Sequence, residues 1–217
     1  MVAEGTIRDG VRLTPSAERI LRTAARLFAL NGYSATSTRD IAAAVGVQQP
    51  ALYKHFSSKD DILSALVKLG LGRPVELAEA MTRRPGRAAA QLCRWLAECV
   101  RHLQGSPYVL VSIITTPELG QEHFASERAL LDRLDRLVAE LIGRGQREGD
   151  LRPMDPLSAS RLVMALFDAM AMPEIAVRGE ELIDFAMNGL VEDRNALEDI
   201  YREAAALDLA SLDTQPG

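Results

Sequence analysis

Residues 37–59 read STRDIAAAVGVQQPALYKHFSSK, and this stretch decides the fold. Ser37 can cap a helix with its hydroxyl while Asp40, three residues on, reaches back to the cap, the reciprocal pattern of a capping box. Ile41, Ala44 and Val45 then supply an inward face, and Gly46 ends the helix after barely two turns. A second short helix opens at Gln48-Gln49-Pro50, with Leu52 and Phe56 as its inward pair at i and i+4. Helices this short gain little by themselves, so they must dock into something. Joined by a tight glycine turn and braced by longer helices, they form a helix-turn-helix, whose second helix suits a DNA major groove.

The bracing helices are legible on either side. Thr14 followed by Pro15 is a helix start, an N-cap oxygen ahead of a residue that needs no N–H. Ile20, Ala24, Leu27 and Phe28 follow on one face, and Asn31-Gly32 stops the helix with residues tolerant of a left-handed cap. Downstream, Ser58 caps a helix with Asp60 and Asp61 in its first turn and Ile62, Leu63, Leu66 and Val67 as its apolar face. Glycines and a proline in Gly70-Leu71-Gly72-Arg73-Pro74 predict a boundary there, dividing the chain into domains 1–70 and 71–217. Beyond it the pattern predicts helices near 75–83, 87–104, 122–145, 156–172, 180–192 and 194–209, with a stop at Gly143–Gly149. Only Tyr108–Ile114 is too short an apolar run to assign. The fold class is all-α.

The net charge of −5 conceals an asymmetry. Residues 1–70 carry nine Lys and Arg against six Asp and Glu, leaving sixteen against twenty-four for the rest, so a basic module precedes an acidic body. Apolar residues make up 47% and charged residues 25%, as in ordinary soluble proteins. No leader and no spanning segment is expected, which makes the cytosol the expected location. Cys93 and Cys99 are six apart on one predicted helix, about 9 Å along its axis, too far to pair. His55, His102 and His123 are scattered without ligand spacing, so neither a metal nor a cofactor is expected.

The second short helix turns Gln48, Gln49 and Lys54 away from Leu52 and Phe56. Glutamine offers adenine a donor and an acceptor together, and lysine offers guanine a donor. Tyr53, His55 and Lys59 flank the helix with phosphate-binding groups, which supply affinity without sequence information.

The run Thr38-Arg39-Asp40-Ile41-Ala42, then Val45-Gly46-Val47-Gln48-Gln49-Pro50-Ala51-Leu52-Tyr53-Lys54-His55-Phe56-Ser57-Ser58-Lys59, resembles the signature of the TetR family of transcriptional regulators. Asn31-Gly32-Tyr33 fits the end of that family's first helix, and the resemblance covers about Thr14 to Leu66. It implies an all-helical dimer in which two N-terminal domains read a palindromic operator while a larger C-terminal domain takes a small-molecule inducer. Carried over by position, Thr38, Tyr53, His55 and Lys59 would contact phosphates, and Arg39, Gln48, Gln49 and Lys54 would face bases. Lys54 departs from the aromatic residue common at its position, which leaves the base preference open.

The C-terminal body is less informative. Trp95, Cys99 and His102 lie on one stripe at i, i+4 and i+7, and with Tyr108, Phe124 and Phe167 they are candidates to line an apolar ligand pocket. The same spacing also suits simple core packing. Residues 156–172 and 180–192 are apolar on more than one face and are the expected homodimer helices. The competing readings are a helical enzyme or carrier using the C-terminal cavity, an adaptor that has lost DNA, and a regulator with no inducer. No G-x-S-x-G, H-E-x-x-H or P-loop motif supports an enzyme.

Overall fold

The computed structural model describes residues 6–7, 11–106, 108, 110–114, 116–171 and 177–209. Two compact units emerge, one holding Met1–Gly72 and Leu103–Leu130, the other Arg73–His102 and Leu131–Gly217. Among the described residues the regular structure is helical apart from a two-residue antiparallel pair, β1 (Thr6–Ile7) with β2 (Val11–Arg12), and an isolated antiparallel bridge between Leu151 and Val191, none of which helical periodicity foretold.

In the first unit, α1 (Pro15–Asn31) starts where Thr14 Oγ1 accepts from the Ala17 N–H at 3.2 Å. It stops at Gly32, whose φ of 84° is open to glycine and costly for other residues. The next helix, α2 (Thr38–Val45), carries the full capping box between Ser37 and Asp40 and ends on left-handed Gly46. Its buried stripe is Ile41 and Ala42; Ala44, expected inward, is exposed. The five residues of α3 (Gln49–Tyr53) bury Leu52, and Phe56 follows it into the core with Ile20, Leu21, Ala24 and Phe28.

The expected break at Gly70–Pro74 does not interrupt the helix: α4 runs without a stop from Lys59 to Arg83 with Pro74 inside it. A proline removes one helical N–H and crowds the carbonyl four residues back, here that of Gly70, yet the helix continues through it. The Pro74 carbonyl accepts the buried Trp95 indole N–H at 2.9 Å in the second unit. Gly70 serves packing instead of a stop, since a Cβ there would lie 3.2 Å from Ile114 Cγ2. The helix α5 (Ala88–Gly105) follows, then α6 (Leu110–Ile114), which makes the last five residues of the unassigned apolar run helical; Tyr108 precedes the helix and residue 109 lies outside the described residues. Two 3-10 turns, Pro117–Gly120 and Glu122–Phe124, lead into α7 (Ala125–Glu148).

In the second unit Leu92, Trp95, Leu96 and Cys99 of α5 and Leu134, Val138, Leu141 and Ile142 of α7 are all buried. Completing it are α8 (Pro156–Asp168), α9 (Gly179–Leu190) and α10 (Leu197–Ala206). Arg87 ties the unit together, donating to both Asp150 carboxylate oxygens at 2.8 and 2.7 Å and to Glu203 at 3.0 Å. The helix stop expected at Gly143–Gly149 falls at its far end. Gly149, with φ 82°, terminates α7, while Gly143 and Gly145 stay helical. Gly145 has a different reason to be small: a Cβ would stand 2.7 Å from Leu151 Cδ1 and 2.8 Å from Leu151 Cγ. Gly145→Ala should therefore lower stability by about 1–3 kcal/mol, the overpacking cost exceeding a helix-propensity gain of about 1 kcal/mol. Urea titration of the two proteins checks this; a more stable variant would mean Leu151 repacks freely.

Candidate nucleic-acid interface

The short helices set the site. Thr38 is the first residue of α2, Gln49 the first of α3 and Tyr53 its last. The turn through Gly46 brings the two helix starts together, where Gln49 Nε2 donates to Thr38 Oγ1 at 3.1 Å. The Thr38 hydroxyl lies 3.1 Å from the Tyr53 hydroxyl, so three expected DNA-contacting residues form one polar chain. Arg39, Gln48, Lys54 and His55 surround it as exposed side chains. Gln48 occupies the N-cap of α3 without a capping hydrogen bond, which leaves its amide for an external partner. His55 also borders a small cleft of about 70 Å³ with Ser16, Arg19, Ile20 and Val47.

Two supports for this surface were not visible in the sequence. Arg19 donates to the Val45 carbonyl at 2.9 Å, placing a cation where the dipole at the end of α2 favours one. A second network gathers behind the turn after α1. Lys59 Nζ donates to the Tyr33 carbonyl at 2.8 Å and sits 4.1 Å from the Tyr33 ring centroid. The Tyr33 hydroxyl donates to Asp60, and burial followed by that carboxylate holds the phenol well above its ordinary pKa. His123 Nε2 lies 3.3 Å from the other Asp60 oxygen, and the Ser34 hydroxyl donates to Glu118 at 2.5 Å. These partners lie up to 84 residues apart, a separation that local pattern reading does not reach. Lys59, expected at a phosphate, thus spends one of its three N–H donors inside the unit and keeps two.

The six candidate pocket residues divide between the units. In the second, Trp95 is fully buried with its ring edge-on to Phe167 at 6.3 Å, Cys99 is buried one turn further along α5, and His102 is half-buried. Burial, reinforced by the neighbouring Glu98 carboxylate, raises the Cys99 thiol well above its usual range, so it behaves as a small apolar side chain. Tyr108 and Phe124 belong to the first unit, where Phe124 packs against Tyr33 at 6.4 Å. Among the described residues no group of three or more His, Cys, Asp or Glu could hold a metal ion, and no helix is long and apolar enough to cross a membrane.

A helix-turn-helix with a polar, partly basic exposed face is the architecture of a DNA-binding regulator. Comparison with known proteins agrees. Residues 20–66 match the family model described as bacterial regulatory proteins, tetR family. The uncharacterized HTH-type transcriptional regulator YerO of Bacillus subtilis (strain 168) is 40% identical over 55 residues, 25% of this chain, a match spanning only 19% of YerO. The fatty acid metabolism regulator protein of the same organism is 26% identical over 162 residues, covering 71% of this chain and 80% of that one. Among solved structures, Mycobacterium smegmatis AmtR superposes with a TM-score of 0.78 at 28% identity, covering 94% of this chain and 97% of AmtR. Residues 20–66 therefore carry an N-terminal domain of the tetR family of bacterial regulatory proteins, and the chain shares its fold with AmtR.

Proposed function

We propose that this regulator is a repressor that binds a palindromic operator as a homodimer and leaves it when an apolar or amphipathic small molecule binds residues 71–217. The observation that carries this reading is the exposed face of α3 and its flanks, with Arg39, Gln48, Lys54 and His55 around the Thr38–Gln49–Tyr53 chain. In this reading Thr38, Tyr53, His55 and Lys59 hold phosphates while Arg39, Gln48, Gln49 and Lys54 face base edges. A single short helix reads only a few base pairs, so useful specificity needs two of them about 34–36 Å apart. Pairing through 156–172 and 180–192 is supported by Leu162 and Phe185, which are 62% and 70% exposed beside an apolar groove of about 210 Å³ between α8 and α9. The ligand reading rests on Trp95, Cys99, His102 and Phe167, and a relative named for fatty acid metabolism favours an apolar ligand. The protein acts in the cytosol and performs no catalysis in this reading.

The reading is tested by measuring operator affinity against salt for Lys59→Ala. Removing one phosphate contact should weaken binding to every sequence alike and flatten the log–log slope by about one unit per half-site. Thermal stability should fall as well, because the Tyr33 carbonyl loses one of its two donors and keeps only the Thr36 N–H. An unchanged slope would remove Lys59 from the phosphate-contacting set.

A further inference from the structure

Thr38, Gln49 and Tyr53 present a small proton-counting problem. The Thr38 and Tyr53 hydroxyls own one proton each, and the 3.1 Å contact between them consumes one. One hydroxyl proton is left over, and what becomes of it depends on Gln49. With the Gln49 amide donating to Thr38 Oγ1, as it does at 3.1 Å, the remaining proton points outward from Thr38 or from Tyr53. If the amide were turned about, Gln49 Oε1 would accept from Thr38 and no hydroxyl proton would remain. A phosphate oxygen is only an acceptor, so it requires that outward proton.

We infer that Thr38 is a specificity-determining positioning residue: by holding the Gln49 amide in one orientation, it makes phosphate binding and base selection a single coupled event. The inference rests on the DNA-reading role proposed above. With one amide N–H committed to Thr38, the second N–H and Oε1 remain for a base edge, in a fixed left-to-right order. Adenine presents an acceptor and a donor in the major groove, so an amide fixed in one direction accepts adenine in one strand sense and discriminates against the other bases. An amide free to turn over loses that preference. A residue that merely held a phosphate would add affinity for all sequences equally.

The test uses the full-length protein, sites selected from random-sequence duplexes, and affinities for the best site and its single-base variants. The proteins are wild type, Thr38→Ser, Thr38→Val, Gln49→Ala and Thr38→Val/Gln49→Ala, each first shown to melt cooperatively. Thr38→Val keeps the shape of threonine and removes its hydroxyl. It should lose about tenfold in discrimination at the same symmetric pair of positions that Gln49→Ala relaxes, the order of one bidentate base contact. The double variant should be no less discriminating there than Gln49→Ala alone, and Thr38→Ser, which restores the hydroxyl, should read like wild type. Thr38→Val weakening every sequence by one common factor would overturn the inference, as would relaxation at positions Gln49→Ala leaves untouched. If wild type enriches no sequence at all, the DNA-reading role itself fails and takes this inference with it.

Discussion

The double variant Leu162→Asp/Phe185→Asp should be monomeric at micromolar concentration and bind the operator at least about a hundredfold more weakly than wild type, the scale on which linked sites lose avidity when separated. The structure chooses these two positions. Residues 156–172 and 180–192 are apolar on several faces, but the faces differ in what they do. Val163 and Phe167 of α8 and Leu182 and Met187 of α9 turn into the second unit's own core, Phe167 against Trp95. Leu162 and Phe185 turn outward beside a groove floored by Ala159, Val163, Ala186 and Leu190. Burying a leucine or phenylalanine contributes about 1.5–3 kcal/mol, and a two-fold axis counts each residue twice. Aspartates there would also set like charges against each other across the axis. Phe167→Asp would be the wrong probe, since it damages the core before it reaches any interface. Sedimentation together with operator titration checks the expectation. A dimer that survives both aspartates would move the interface elsewhere.

The second large effect concerns the ligand. A compound that binds the second unit and prefers the DNA-incompetent state tenfold at each of two sites should lower operator affinity about a hundredfold, about 1.4 kcal/mol per site. By linkage, operator DNA must weaken ligand binding about tenfold at each of the two sites. Trp95 is the natural reporter, the one tryptophan in the chain, fully buried against Phe167 with its N–H held by the Pro74 carbonyl. Entry of an apolar molecule beside it must disturb that packing and its emission. The chain passes between the two units within α4, α5 and α7, which are the covalent routes open to such a signal. The measurement is Trp95 fluorescence titrated with a panel of fatty acids, acyl thioesters and other hydrophobic metabolites, with and without operator. Binding that leaves operator affinity unchanged for every compound would favour a regulator without an inducer.

How much of this was legible in the sequence follows the range of the interactions. The helix-turn-helix announces itself through caps, and caps are local: Thr14 with Pro15, Ser37 with Asp40, and Gly32 and Gly46 at the two ends each act within a few residues. All of them hold in the structure. The exposed positions of Gln48, Lys54 and His55 follow from the same local pattern. The long helix α4 was not legible because Gly70, Gly72 and Pro74 carry the composition of a break. For Gly70 the reason to be small is Ile114, 44 residues away, while Gly72 has open space around it and nothing in the structure explains Pro74. The membership of residues 103–130 in the first unit was invisible for the same cause. Its polar ties, Ser34 to Glu118 and Asp60 to His123, involve residues that would be unremarked surface side chains in any local reading. The aromatic stripe from Trp95 shows the limit of periodicity, which identifies a buried face and is silent about whether a ligand or another helix covers it.

The most direct test of the account is selection by the full-length protein from a pool of random duplexes, followed by sequencing and by measuring the stoichiometry on the winning site. The account predicts an inverted repeat whose half-sites are centred about one helical turn, 10–10.5 base pairs, or a multiple of it apart, bound by an even number of chains. Enrichment of no sequence, or of a single asymmetric site bound by one chain, would contradict it.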